Sequence, residues 1–364
     1  MDRTCIQPRP NTPDSGGIEQ IGDENGRMLD EVIKNFKSQR KLKNILLVGL
    51  PSAGKSSLIN SLVSLILGKY IPVASVGQGD QLTHTYAAHR YQHFGITEDH
   101  LRGSPNEVKA RIIHRQLPNV DDFVGLGNEN TEELKEILGL KVFGHLEPGI
   151  QITALCDRQR KHGLGCLRSW YTESKEEWKT DAVVFVHSVA VNEIPKKLIE
   201  CVLEIIKPKD TLRPVDVDYY VVLTNMDKVE SGEVSEENLN EVENSIAGVF
   251  VFRGFKEYKL FKVTNWSDDV KFPNSSVEDL LGWDERSLTL NNQLLKLLRN
   301  MSITKAEVKP ESDIGFVQDI WFRLYGYLRN NRFDPKGKKD IFFAALLGLL
   351  FIIAVGLFMS NKSN

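Results

Sequence analysis

The chain has 364 residues, with 46 Lys and Arg against 49 Asp and Glu and a formal net charge of −3. That length accommodates one large domain with appendages or two modest ones, and the charge balance gives no electrostatic reason to expect a nucleic-acid partner. Cys5, Cys156, Cys166 and Cys201 are scattered without CxxC pairing, which indicates neither a disulfide framework nor a zinc centre and fits a reduced, cytosolic setting.

Residues 1–26 are polar and rich in Pro, Gly and acids, so they read as a disordered lead-in and not as a secretory signal. Leu29, Val32, Ile33 and Phe36 then recur at helical spacing, predicting a short amphipathic helix within residues 27–40. The run Asn44–Val48 is apolar on both faces, as a central parallel strand must be. It leads into GLPSAGKSS, residues 49–57, which is Gly49, four residues, Gly54, Lys55 and Ser56. This is the spacing of a phosphate-binding loop: small residues turn backbone N–H groups around a polyphosphate, the lysine reaches the β and γ phosphates, and the hydroxyl ligates Mg²⁺. Gly49, Ser52, Ala53, Gly54, Lys55, Ser56 and Ser57 are the expected phosphate contacts, with Ser56 also a metal ligand. Leu58, Leu62, Leu65 and Ile66 share one face of a helix predicted over 55–68, whose positive end would aim at the same anion.

The next stretch, GQGDQLTHTYAAHRYQHF, predicts a strand over 84–94 and offers Thr83 or Thr85 as a switch threonine closing on Mg²⁺, with Thr83 preferred. His84, His89 and His93 lie among aromatic residues and read as strand and loop histidines. A further strand is predicted over 108–118, ahead of an Asp-x-x-Gly, Asp122 to Gly125. Its aspartate would hold Mg²⁺ through water and its glycine N–H would meet the γ-phosphate. Asp121 is out of register with that glycine, and Asp157 has no glycine at the required offset. Many GTPases of this kind carry a water-orienting glutamine directly after that glycine. Leu126 stands there, and its side chain can neither donate nor accept a hydrogen bond, so intrinsic hydrolysis is expected to be slow or assisted from elsewhere, and no catalytic residue is assigned.

Residues 126–180 form a long insert with an amphipathic stretch at 131–140 and Trp170 and Trp178; segments of that length are more often functional than idle, and contact with a partner or a second protomer is the expected role. Strands follow over 181–188, 217–224 and 258–264, and helices over 192–206, 234–249 and 286–301. The strand at 217–224 ends in Thr224-Asn225-Met226-Asp227, where a carboxylate can accept from guanine N1–H and N2–H₂ while adenine offers no such pair. The usual pattern is Asn-Lys-x-Asp, so Thr224 replaces the asparagine and Asn225 the lysine. Asn265, after the last strand, is the expected second contact to the base. Alternating strands and helices predict an α/β fold with a doubly wound, mostly parallel sheet over residues 27–303.

Residues 304–340 read as a helical connector to the uninterrupted apolar run Ile341–Met359, long enough to span a bilayer. Arg323, Arg329, Arg332, Lys336, Lys338 and Lys339 precede it and only Lys362 follows, so the body is expected on the cytosolic side of a single-pass tail anchor. The endoplasmic reticulum is slightly favoured over the mitochondrial outer membrane. Gly348 and Gly356 lack GxxxG spacing, a weak signal for dimerisation through the span.

The loop AGKSS, the DFVGLG segment, the strand Ala182 to Val186, the TNMD segment and the VTNWSDD stretch resemble the interferon-induced protein 44 family over roughly residues 40–300. The resemblance implies cytosolic binding of GTP or GDP with Mg²⁺ and a role in innate immunity. It carries Gly49, Gly54, Lys55 and Ser56 to the phosphates, Asp122 to Mg²⁺ and Asp227 to guanine. The C-terminal apolar run departs from that pattern. The expected function is a membrane-anchored, GTP-dependent switch or assembly factor that associates with itself as a homodimer or larger homo-oligomer, or with a protein partner. A non-hydrolysing nucleotide-bound scaffold and a phosphate-loop ATPase are the alternatives.

Overall fold

The computed structural model describes residues 15–39, 41–76, 89–123, 125–191, 193–207, 217–253, 255, 258–265 and 285–303, with the backbone alone at 15–19 and 285–287. The chain divides into two units, Met1–Ile303 and Thr304–Asn364. The second unit, with the expected connector and the apolar run Ile341–Met359, lies outside the described residues, as do Thr83, Thr85, Val124 and Trp266. Among the described residues no helix is long and apolar enough to cross a membrane.

The first unit runs α1 (Ser15–Ser38), β1 (Asn44–Val48), α2 (Lys55–Leu67), β2 (His89–Tyr91), α3 (Glu98–Leu101), α4 (Glu107–Ile113), β3 (Asn119–Asp122) and α5 (Glu132–Val142). It continues with α6 (Ile152–His162), α7 (Cys166–Trp170), β4 (Ala182–Ser188), α8 (Lys196–Ile206), β5 (Asp218–Thr224), α9 (Asp227–Glu230), α10 (Glu236–Phe252), β6 (Lys259–Lys262) and α11 (Glu285–Ser302). The strands form one sheet in the order β2-β3-β1-β4-β5-β6. All pairings are parallel except β2 on β3 at the edge. The expected α/β, mostly parallel architecture is therefore the observed one.

Strand alternation divides the core. Ile45 and Leu47 of β1 join Ala182, Val184 and Val186 of β4 in a cluster with α1, α2 and α11. Leu46 and Val48 turn the other way, with Val183 and Phe185, into a cluster with α5, α8 and α10. Helices thus cover both faces, which is why β1 and β4 are buried at every position. The chain leaves β1 for one face through α2 and leaves β3 for the other through α5. A crevice therefore opens at the carboxyl ends of these neighbouring strands, the usual ligand position in open α/β sheets.

Two sequence expectations need correction. The helix expected within 27–40 begins at Ser15, so residues 15–26 are not a disordered lead-in. Its early turns are fixed from a distance: Asn25 Nδ2 donates to Leu288 O at 2.8 Å, and Asn292 Nδ2 donates to Asn25 Oδ1 at 3.0 Å. The strand expected over 108–118 is the helix α4 and a following short turn of 3₁₀ helix. Val108 and Ile112, two of the three members of the apparent alternation Val108, Ala110 and Ile112, are solvent-exposed, whereas Ala110, Ile113 and Leu117 are buried. That spacing is helical. The strand of this region is the shorter β3, and β2 occupies only His89–Tyr91 of the expected 84–94.

β3 carries two adjacent aspartates into the interior, and the fold treats them differently. Asp121 is fully buried and held by Arg90 of β2, with Nε and Nη2 on its two oxygens at 3.0 and 2.8 Å. Lys141 of α5, also fully buried, lies 3.0 Å from Asp121 Oδ2. Burial holds the Lys141 ammonium below its ordinary pKa, opposed by the charge of Asp121. Removing one partner of such a group leaves charge without compensation in a medium that solvates it poorly. Asp121→Ala, which strands two cations, is expected to destabilise the domain by about 3–5 kcal/mol, and Lys141→Met, which leaves the bidentate Arg90 pair intact, by clearly less; urea unfolding midpoints of the two variants give the comparison.

Candidate functional site

The loop after β1 is built by backbone geometry that few residues accept. Ser52 has φ 59° and Gly54 has φ 88°, both left-handed, and Gly54 caps α2. A side chain at Gly54 would also meet Asn265 Nδ2 at 2.9 Å and Thr224 Oγ1 at 3.1 Å. At Gly49 a Cβ would collide with the carbonyl oxygen of Val186 on the neighbouring strand. The glycine spacing in the sequence is thus a packing requirement as well as a turn requirement.

Lys55 opens α2 and is 8% exposed. Its Nζ donates to Gly49 O at 3.2 Å and to Leu50 O at 3.0 Å, which curls the side chain over the loop. Burial lowers its pKa, and the nearby Asp122 carboxylate works in the opposite direction. Ser56 Oγ donates to Asp122 Oδ2 at 2.6 Å. The other oxygen, Asp122 Oδ1, is buried without a hydrogen-bond partner. Burial raises the Asp122 pKa, with the Ser56 hydrogen bond and the Lys55 charge acting against it. A hydroxyl and a half-satisfied buried carboxylate, beside a curled amine and a left-handed loop, form a donor set suited to a hard divalent cation next to phosphate oxygens.

Register decides between the adjacent aspartates. Period-two alternation sends Asp121 to α5 and its two cations, and Asp122 to the α2 side and Ser56. Asp157 pairs with Arg160 at 2.9 Å on the exposed surface of α6. Gly125 lies against the loop itself, where an added Cβ would come within 2.8 Å of Pro51 Cα and N. Leu126 N donates to Gly49 O at 3.2 Å while its side chain is buried in the cluster with Ile137, Leu138 and Val189. The Leu126 side chain belongs to the core, and its backbone fastens the segment after β3 to the loop after β1.

At the other end of the site, Thr224 and Asn265 share a bracing task. Thr224 Oγ1 is buried and donates to Ala53 O at 2.7 Å, with His187 O at 3.3 Å. Asn265 Nδ2 donates to Gly54 O at 3.4 Å, and its Oδ1 is buried without a partner. Asn225 is left-handed, φ 60°, and its Nδ2 donates to Ser188 Oγ at 2.9 Å. Asp227 begins α9 and is partly exposed. The structure therefore unites Gly49, Ser52, Ala53, Gly54, Lys55, Ser56, Asp122, Gly125, Thr224 and Asn265 around one loop, with Asn225 and Asp227 following directly on Thr224. Ser57 follows Ser56 in the first turn of α2, and its carbonyl accepts from Ser61 Oγ at 2.8 Å. Pro51 and Ser188 were not legible as site residues, because each acts through a contact with a distant segment and carries no motif of its own.

No protein-family model matches the chain. No curated protein sequence matches it. Among solved structures it is similar to a dimerization-deficient mutant of Toc33 from Arabidopsis thaliana, with 13% identity over 79% of this chain and 95% of that one, TM-score 0.38. It is also similar to Toc33 in complex with GDP and Mg²⁺, at 14% identity over 79% and 95%, TM-score 0.37. A third is the small COPII coat GTPase SAR1 from Encephalitozoon cuniculi in complex with GDP, at 14% identity over 79% and 94%, TM-score 0.30. At these identities and scores the likeness carries no function to this chain, and the fold assignment rests on the sheet order and loop geometry above. The chain is an α/β protein with a mostly parallel sheet, and the loop after β1 has the spacing and left-handed backbone of a phosphate-binding loop.

Two outcomes follow. Leu126→Gln buries an amide among aliphatic side chains and is expected to cost about 1–3 kcal/mol of stability, read from thermal or urea unfolding. Asp122 has a folded-state pKa above its ordinary value of 3.8, so the folded protein takes up this proton more readily than the unfolded one. Its contribution to stability is then favourable below pH 3.8 and is lost as pH rises through the raised folded value; Asp122→Asn is expected to flatten that segment of the stability profile, measured by unfolding from pH 3 upward.

Proposed function

We propose that this chain is a membrane-anchored GTP-binding protein of the interferon-induced protein 44 kind, acting as a nucleotide-dependent switch or assembly factor in innate immunity. The observation that carries the nucleotide reading is the Ser56–Asp122 pair, with its unpartnered carboxylate oxygen, at the crevice beside the left-handed Gly54 loop. Ser56 and Asp122 would hold Mg²⁺, with Thr83 the proposed third group. Bound there, the ion would neutralise charge on the β and γ phosphate oxygens. Lys55, freed from the loop carbonyls, would add its charge to the same phosphates, and the N–H groups of residues 52–57, in the loop and the first turn of α2, would donate to them.

Guanine specificity is assigned to Asp227, with Thr224 and Asn265 bracing the loop under the base. The brace accounts for the missing asparagine of the usual pattern, because Thr224 Oγ1 already ties the base loop to Ala53. The membrane reading rests on the apolar run Ile341–Met359 and the basic residues before it, on the cytosolic face of the endoplasmic reticulum or, second, the mitochondrial outer membrane. The immune role rests on the sequence resemblance alone.

The non-hydrolysing scaffold stands as a second reading because of Leu126, whose side chain is committed to the core and offers nothing to a water. Titration calorimetry of the full chain in detergent with GTP, GDP and ATP tests the guanine assignment. The expected result is binding of GTP and GDP with at least roughly hundredfold preference over ATP; equal affinity for ATP sinks it. Asp227→Asn is expected to move preference from GTP toward xanthosine triphosphate. Turnover measured across a protein concentration series separates the readings of catalysis, since a rate rising with concentration supports assisted hydrolysis and a flat absence supports the scaffold.

A further inference from the structure

The insert between β3 and β4 folds onto α5 through one buried carboxylate. Glu136 accepts from Gln159 Nε2 at 2.8 Å, from Gly165 N at 3.1 Å and from Arg168 N at 3.1 Å. Gln159 Nε2 also reaches Glu133 O at 3.1 Å. These bonds fix α6 and α7 as a rigid corner beside the early turns of α5, the helix that follows the Asp122–Leu126 segment. The inner side of the corner is apolar: Leu155 and Leu167 are buried in the core.

The outer side is unusual. Gly163 and Gly165, at φ 84° and 89°, flank Leu164, which is 56% exposed at the tip. Trp170 is 48% exposed, with Arg158 over its ring at 5.2 Å and His162 edge-on at 5.0 Å. Arg158 is held in place by its bond to Tyr171 Oη at 2.7 Å. Lys161 and Arg168 are exposed on the same corner. Across residues 157–171 the cations Arg158, Arg160, Lys161 and Arg168 face a single acid, Asp157, which is paired with Arg160.

We infer that the α6–α7 corner is a contact surface for anionic phospholipid headgroups. Its chemistry matches what such a surface selects: a leucine and an amphipathic tryptophan at the level of the headgroups, ringed by cations that meet the negative charge. An acidic protein would satisfy the cations, but it gives no reason for a glycine-flanked, exposed leucine at the tip. The inference rests on the membrane-anchor reading for its physiological sense. Tethering by the proposed anchor would present the patch to the bilayer at roughly millimolar effective concentration. A weak patch is then sufficient, and it would orient the nucleotide domain on the membrane.

The test uses the full chain with vesicles of phosphatidylcholine, or of phosphatidylcholine with about one third phosphatidylserine, each carrying brominated acyl chains. Quenching of tryptophan emission that needs phosphatidylserine and disappears in Trp170→Phe is the expected result. Leu164→Asp, and separately Lys161→Glu with Arg168→Glu, should reduce that quenching roughly tenfold while nucleotide affinity and circular dichroism stay as in the parent. Quenching that is independent of lipid charge, absent, or dependent on protein-to-lipid ratio overturns the inference, the last in favour of contact between copies. Carbonate extraction reports on the anchor separately. If the chain is extracted, the anchor reading fails, and the inference then stands or falls on phosphatidylserine-dependent co-sedimentation of the added chain that Leu164→Asp abolishes.

Discussion

A single 2.6 Å hydrogen bond, Ser56 Oγ to Asp122 Oδ2, joins the loop after β1 to the end of β3 and defines the place where chemistry can occur. Much of the domain keeps that bond possible. β1 and β3 must pair in the register that sets Leu47 opposite Asp122. Asp121 must be neutralised on the opposite face, or the same strand would carry two uncompensated charges into the interior. Gly49 and Gly125 must lack side chains so that β4 and Pro51 can approach. The site is thus an outcome of sheet order, strand phase and two close approaches, and the loop motif is its most visible part.

The arrangement also separates two roles that one residue often combines. Binding groups point into the crevice, while Leu126, in the place where a water-orienting side chain would stand, faces the core and ties the segment down through its N–H. A substitution at Leu126 therefore acts first on packing and only secondarily on chemistry. The base end shows a comparable redistribution. Thr224 and Asn265 together provide ties to Ala53 and Gly54 that a longer amide side chain could supply alone. That leaves Asn225 free to adopt a left-handed turn braced by Ser188.

What could be read from the sequence follows from where the determining interactions lie. β1, β4 and β5 are apolar on both faces and announce themselves, and the loop at 49–57 follows from a spacing that phosphate chemistry dictates. β3 does not, because half of it is aspartate and its existence depends on pairing with β1 and on Arg90 and Lys141. α4 resembles a strand in sequence because Val108, Ala110 and Ile112 alternate by chance. The set that the fold buries is Ala110, Ile113 and Leu117, and only packing against the α1–α2 layer distinguishes the two. The preference for Asp122 over Asp121 was legible from the glycine three residues on, but its physical cause, opposite faces of one strand, was not.

The pairing of α1 with α11 has a consequence for how the protein is made. Asn25 bonds to Leu288 and Asn292, Asn35 and Gln39 to Ser302, and Lys43 Nζ to the carbonyls of Met301 and Ile303. Helix α1 thus finds its partner α11 only when nearly all of the described chain between them has been made. At about 5–20 residues per second, α1 waits on the order of ten to fifty seconds for α11. The pairing of α1 with α11 is therefore timed to the synthesis of α11.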